Sequence, residues 1–189
     1  INVLSALPNL SRPTIIDGTS QPGSTCGDSN NPRNILIWIR GPGASPAISG
    51  LVFNGGNSTL QGVTVSRFRN AYVAFDSSVG ADKILCTPLG TNAQGNASDL
   101  LVGTTGNPAV TVGLDMASPN SLIGGSVHSP NKCDGDCNTI IGDSRNNNQQ
   151  AVLLRFGAVT NATLYGIGAT TNTADGGRMQ GNFIGLRQD

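Results

Sequence analysis

Residues 51–75 read LVFNGGNSTLQGVTVSRFRNAYVAF and hold three short apolar runs, at 51–53, 60–65 and 71–75. In the middle run, Leu60, Val63 and Val65 are separated by small or polar residues, which is typical of a short strand with one buried side. The Asn and Gly residues at 54–59 favour a tight corner between the first two runs. We interpret the stretch as one coil of a repeating structure, and we expect the rest of the chain to vary this pattern.

The composition favours strands and turns over helices. The chain has 189 residues, with 26 Gly, 20 Asn and no Glu, and Asn and Gly favour turns whereas Glu favours helices. We predict a single domain over residues 1–189. The alternative is that these residues are a segment of a longer chain or polymer, because the sequence opens at Ile1 rather than Met.

The charge pattern excludes two classes of partner. The formal net charge is zero and no basic face is visible, so the electrostatic signature of a nucleic-acid-binding protein is missing. We expect Arg67 and Arg69 to lie on a solvated face. No apolar run reaches the length of about 18 residues that a membrane-spanning helix needs, so we expect no membrane insertion.

A recurring asparagine marks the entry to the aliphatic runs. It stands two to four residues before a Leu or Ile at five places, with intervals of 39, 24, 18 and 23 residues: Asn57, Asn96, Asn120, Asn138 and Asn161. Asn tolerates the left-handed backbone conformation that a sharp corner needs, and stacked Asn side chains can bond to one another. The marker predicts coils of roughly 18 to 25 residues, which is within the range of solenoid repeats.

Three motifs carry a resemblance to a known family. They are TIIDGTSQPG at 14–23, GLVFNGGNS at 50–58 and GNFIG at 181–185. On these motifs the chain resembles right-handed parallel β-helix repeat proteins of the bacterial secreted and cell-surface type. The resemblance covers most of the chain and is patchy between residues 77 and 120. It implies an all-β, right-handed parallel β-helix (β-solenoid) with long polar loops, located outside the cell or at its surface.

The four cysteines indicate an oxidising compartment. Cys133 and Cys137 flank Gly135, and this spacing predicts a loop closed by a disulfide. Cys26 and Cys86 are then left as a second pair. Buried free thiols are the alternative.

The same loop also offers a weak metal candidate. Asp134 and Asp136 could supply oxygen ligands to Ca²⁺, although no Glu is present to add a bidentate carboxylate. A zinc site lacks ligands, because His128 is the only histidine. We expect no cofactor.

No catalytic constellation emerges from the sequence, so we expect that the protein is not an enzyme. Paired carboxylates of a glycosidase would have to be Asp, and the Asp residues are scattered. Most of the eight aromatic residues fall in or beside apolar runs, and we expect them to stack in the core. The alternative is a secreted β-helix that binds or cleaves a polysaccharide, like a pectate lyase.

We therefore expect an extracellular structural or adhesive module. It would be a building block of a surface fibre, sheath or adhesin, and would self-associate end to end as a homo-oligomer, because solenoids have open strand edges. A carbohydrate partner stays open as an alternative. Asn-x-Ser/Thr sequences also permit glycosylation; they start at Asn9, Asn57, Asn96 and Asn161.

Overall fold

The structure is a computed structural model. It describes residues 1–43, 45–95, 97, 99, 112–126, 133–141, 152–156, 163–164, 167–171, 178–180 and 182–184. From residue 152 onward, side-chain exposure is described only for Asn182 and Ile184. The predictions made for Asn96, His128 and Asn161 lie outside the described residues.

Short strands form nearly all of the regular structure in the described part of the chain. One 3₁₀ turn, Gly18–Ser20, follows the first strand, where the Asp17 side chain accepts a hydrogen bond from the Thr19 N–H. The strands are β1 (Ile15–Asp17), β2 (Ile37–Arg40), β3 (Leu51–Phe53), β4 (Thr59–Gln61), β5 (Val63–Ser66), β6 (Ala71–Phe75), β7 (Lys83–Leu85), β8 (Pro88–Leu89), β9 (Val112–Met116), β10 (Leu122–Gly124), β11 (Thr139–Ile140), β12 (Val152–Phe156), β13 (Thr163–Leu164), β14 (Ile167–Thr171), β15 (Arg178–Gln180) and β16 (Phe183–Ile184).

The strands belong to three sheets. The first sheet has the order β1-β4-β7-β10-β15, the second β16-β11-β8-β5-β2, and the third β13-β14-β12-β9-β6-β3. Neighbours are parallel throughout, except that β13 pairs antiparallel with β14. Up to β12, successive described strands fall in the first, second and third sheets in turn. All-β architecture is therefore what the described residues show.

The prediction of a single right-handed parallel β-helix with regular coils is wrong. The described strands form three separate parallel sheets, and no closed solenoid is traced through them. The interval between paired residues also varies: Thr59 pairs with Lys83, 24 residues on, but Lys83 pairs with Leu122, 39 residues on. Long connections separate some paired strands, whereas the asparagine marker assumed one repeating length.

The three sheets share one apolar core. Leu60 comes from the first sheet, Val65 from the second and Phe53 from the third, and all three are fully buried in the same cluster. Phe53 and Phe75, on the paired strands β3 and β6, stack with ring centroids 4.6 Å apart. Such a pair contributes roughly 0.5–1.5 kcal/mol beyond the burial of its area. The expected stacking of aromatic residues in the core is seen for this pair.

Two glycines make room for the buried Phe68 ring. A Cβ at Gly41 would lie 2.8 Å from Phe68 Cγ, and one at Gly50 would lie 2.2 Å from the Tyr72 carbonyl oxygen and 2.9 Å from Phe68 Cδ2. Only a residue without a side chain fits at these points, because backbone and aromatic ring atoms already fill the space. The glycines that end the runs before β3 and after β2 therefore serve packing.

Candidate functional site

The predicted corner asparagines have two different structural roles. Asn57 and Asn120 adopt positive φ angles of 50° and 54° and are exposed. This is the left-handed corner geometry that Asn tolerates better than most residues. Asn138 is fully buried instead, and its side chain bonds to neighbouring strands.

Asn138 belongs to a ladder of side-chain amides. Its Oδ1 accepts a hydrogen bond from the Thr87 N–H at 2.8 Å, and its Nδ2 donates to the Ile84 carbonyl at 2.9 Å. Asn182 repeats this pattern beside it: its Oδ1 accepts from the Asn138 N–H at 3.2 Å, and its Nδ2 donates to the Ile123 carbonyl at 2.8 Å. The ladder satisfies backbone groups at a corner where sheet hydrogen bonding stops.

A second buried ladder runs along the edge where strands of the first sheet begin. Asp82 Oδ1 accepts from the Ser58 N–H at 2.7 Å, and Ser121 Oγ accepts from the Asp82 N–H at 3.0 Å. The Thr14 N–H donates to Ser58 Oγ at 3.2 Å. Ser58, Asp82 and Ser121 are all buried. These polar groups hold successive corners together, and none of them faces solvent.

Both disulfides are present in the structure. Cys26 is bonded to Cys86, which is 60 residues further along the chain, and Cys133 is bonded to Cys137. The first bond ties the polar loop after β1 to the end of β7. Together with the sequence pattern, the two disulfides fit a secreted protein. Within the described residues, no helix has the length and apolarity that crossing a membrane requires.

The small disulfide loop lies against a buried arginine. Arg33 is 7% exposed, and its Nη2 donates to the Cys137 carbonyl oxygen and contacts Cys133 Sγ at 3.2 Å. Burial lowers the pKa of Arg33 to about 10, while the charge of Asp134 opposes that shift. The charge of Asp134 is therefore directed toward a cation that the chain itself provides.

The two weak calcium candidates do not share a site in the described residues. Asp134 is buried near Arg33, whereas Asp136 Oδ2 accepts a hydrogen bond from the Ser126 N–H at 3.2 Å. No group of three or more His, Cys, Asp or Glu side chains gathers in the part of the chain that the structure describes. A guanidinium beside one of the two carboxylates opposes a second cation there.

A different cluster lies on the outer face of the second sheet. Along β2 and β5, Ile39 and Val65 point into the core, so Trp38, Arg40 and Ser66 take the alternate, outward positions. Arg40 pairs in register with Ser66. We call Trp38, Arg40, Ser66, Arg67 and Asp99 the outer-face cluster.

Asp99 is the centre of the outer-face cluster. Arg40 holds it with two nitrogens, Nε to Oδ2 at 3.1 Å and Nη2 to Oδ1 at 3.2 Å. Arg67 Nη1 lies 3.5 Å from Oδ1, and Ser66 Oγ donates to Oδ2 at 2.6 Å. Burial raises the pKa of Asp99, but the hydrogen bonds from Arg40 and Ser66 and the nearby charges outweigh it, so the pKa lies below its usual value.

The indole of Trp38 fixes the arginine geometry. The Arg40 guanidinium carbon lies 4.7 Å from the ring centroid of Trp38, and Trp38 Nε1 donates to Ser66 Oγ at 2.9 Å. Arg67 has a positive φ of 62°, which is uncommon for a residue with a long side chain. The cluster is therefore a positioned set of donors, in which two guanidinium groups converge on one carboxylate.

Sequence reasoning did not find the outer-face cluster. It placed Trp38 among the core aromatics and treated Arg67 as solvated, whereas Trp38 is half-buried on the outward side and Arg67 is paired. The alternation of Ile37 and Ile39 with Trp38 and Arg40 was the available signal. No protein-family model, no curated protein and no solved structure matches this chain.

Proposed function

We propose that the protein is an extracellular structural or adhesive module that associates with further copies of itself through one edge of its sheets. The observation that carries the proposal is an exposed apolar edge formed by residues 1–17, which we call the N-terminal edge. Ile1, Leu4 and Ile15 are 74%, 81% and 75% exposed there. Exposed apolar groups on a strand edge favour association because burying them releases water.

The N-terminal edge borders all three sheets. Asn2 forms a parallel bridge with Arg40 beside β2, and Leu10 forms one with Phe53 beside β3. Strand β1 is the outermost described strand of the first sheet. A strand at such a position offers its outward N–H and C=O groups to another chain.

The opposite edge supports a second copy as the partner. Strand β15 ends the first sheet and β16 ends the second at the side away from the N-terminal edge. Both pair in parallel with the strand before them in the sheet, so they run in the same direction as β1. Head-to-tail contact between two copies would therefore continue parallel sheets, and a contact of this type builds open chains when its rotation does not close.

Charged substitutions at the exposed edge test this proposal. We expect Ile15→Lys to abolish association, because a lysine on an edge strand blocks pairing with a second chain. The matched control is Val79→Lys, which places the same charge at a residue that is 64% exposed between β6 and β7. The measurements are sedimentation velocity over a concentration series and negative-stain electron microscopy.

The expected result is concentration-dependent oligomers or filaments for the unmodified protein and for Val79→Lys, and monomers for Ile15→Lys. Strictly monomeric unmodified protein at the highest attainable concentration would sink the proposal. An equal loss of association in both variants would also contradict it, because the effect would then come from net charge rather than from the N-terminal edge.

A further inference from the structure

We propose that the outer-face cluster binds the carboxylate groups of an acidic, uronate-containing polysaccharide. The proposal concerns Trp38, Arg40, Arg67 and Asp99 and goes beyond self-association, because the N-terminal edge and the outward side chains of the second sheet are different surfaces. Its argument starts from the surplus of positive charge in the cluster.

Two guanidinium groups surround one carboxylate, so the cluster carries one uncompensated positive charge. The side chains of Arg40 and Arg67 remain 35% and 34% exposed, whereas that of Asp99 is only 14% exposed. Arg40 uses Nε and Nη2 on Asp99, and Arg67 uses Nη1. Because a guanidinium has five N–H donors, both arginines keep donors for an anion that arrives from solvent.

The cluster is already shaped around a carboxylate. Arg40 grips Asp99 in a fork geometry, and Ser66 adds a hydroxyl donor. This planar, two-pronged arrangement matches a carboxylate. Asp99 therefore occupies the position that a ligand carboxylate would prefer, and it acts as an internal competitor that limits the affinity of the site.

Two features favour a sugar polymer over an acidic peptide. The stacking of Arg40 on Trp38 holds the guanidinium against the sheet, so a ligand must lie along a broad outer face instead of entering a pocket. Trp38 also supplies a ring beside the charge, and exposed aromatic rings provide contact area for apolar surfaces such as sugar faces. Sulfated polymers and acidic peptides become outcomes of the test.

Trp38 makes the test direct, because it is the only tryptophan in the chain. Oligogalacturonate is titrated into the protein while tryptophan fluorescence is recorded, with fully methyl-esterified oligogalacturonate as the matched neutral ligand. We expect a saturable fluorescence change with the acidic oligomer that weakens as salt is added. No change, or an equal change with the esterified oligomer, would overturn the proposal.

Two variants on opposite sides of the ion pair should move the affinity in opposite directions. Arg67→Gln removes a charged donor and should weaken binding about tenfold, whereas Asp99→Asn removes the internal competitor and should strengthen it about threefold to tenfold. A gain of affinity does not arise from misfolding, so Asp99→Asn keeps the test decisive if Arg67→Gln folds poorly.

Two comparisons complete the experiment. Arg12→Gln removes an arginine from an exposed position away from the cluster and should leave binding unchanged; a loss equal to that of Arg67→Gln would show nonspecific charge attraction and refute the site. Dextran sulfate and an oligo-aspartate peptide should both bind more weakly than oligogalacturonate. Tighter binding of either would refute the assignment to a uronate polymer.

Discussion

Replacing Asn138 with alanine tests whether the amide ladder holds the sheets together. The side chain is fully buried, and its amide pairs with the Thr87 N–H and the Ile84 carbonyl. Alanine would leave both backbone groups without these partners, and each buried group left unsatisfied costs about 1–3 kcal/mol. We therefore expect the free energy of unfolding to fall by about 2–6 kcal/mol, with the low end if water enters the space.

The assay is urea unfolding at neutral pH with the disulfides intact, followed by Trp38 fluorescence. A loss of this size is a large part of the roughly 5–15 kcal/mol that stabilises a typical domain, so the midpoint should shift far beyond error. Asn54→Ala is the matched control, because Asn54 is exposed and a surface change of this kind stays within about 0.5 kcal/mol.

Asn138→Asp separates the acceptor role of the amide from its donor role. The remaining oxygen can still accept from Thr87, but the donor nitrogen becomes a second oxygen facing the Ile84 carbonyl and Asn182 Oδ1. Burial near these oxygens raises the pKa of the new carboxyl, so its destabilising effect should shrink as the pH falls and the group is protonated. If Asn138→Ala unfolds at the same urea concentration as Asn54→Ala, the ladder contributes nothing and the reasoning is refuted.

Three further predictions follow from other contacts. Because the pKa of Asp99 lies below its usual value, its stabilising contribution is present above pH about 4 and is lost as the pH falls through the folded-state pKa; Trp38 fluorescence should report this acid transition, and Asp99→Asn should lack it. Replacing Cys26 and Cys86 with serine should lower stability by about 4 kcal/mol, because the bond closes a loop of 60 residues; an unchanged melting temperature would contradict this. Gly50→Ala should cost about 1–3 kcal/mol by overpacking, since its Cβ would lie 2.2 Å from a carbonyl oxygen, and calorimetry measures the loss.

The local strand pattern was predictable, and its global arrangement was not. Leu60, Val63 and Val65 are all fully buried, as their spacing indicated, because alternation along a strand is a local property. The single regular β-helix was not found, because pairing partners are set by connections of unequal length. The pairing of Lys83 with Leu122 is one that no regular interval indicates.

The candidate site was out of reach of sequence reasoning for a related reason. Arg40 and Asp99 are 59 residues apart in the chain, and Arg67 joins them only because β5 lies beside β2 in a fixed register. Each residue taken alone looks like an ordinary surface charge. Only the register of the second sheet shows that two cations share one carboxylate, so the cluster is a property of the tertiary structure.

The two proposals reinforce each other through geometry. Asn2 bridges Arg40 directly, so the outer-face cluster stands next to the N-terminal edge through which copies would join. A single surplus charge on an open face gives weak binding, since exposed ion pairs contribute about 0–1 kcal/mol. Head-to-tail assembly would repeat the cluster once per copy along a polymer, and an acidic polysaccharide could contact many copies at once. Linked sites gain avidity without new contacts, so Ile15→Lys should weaken binding to long oligogalacturonate far more than binding to a short oligomer. Equal weakening for both lengths would show that the surfaces act independently.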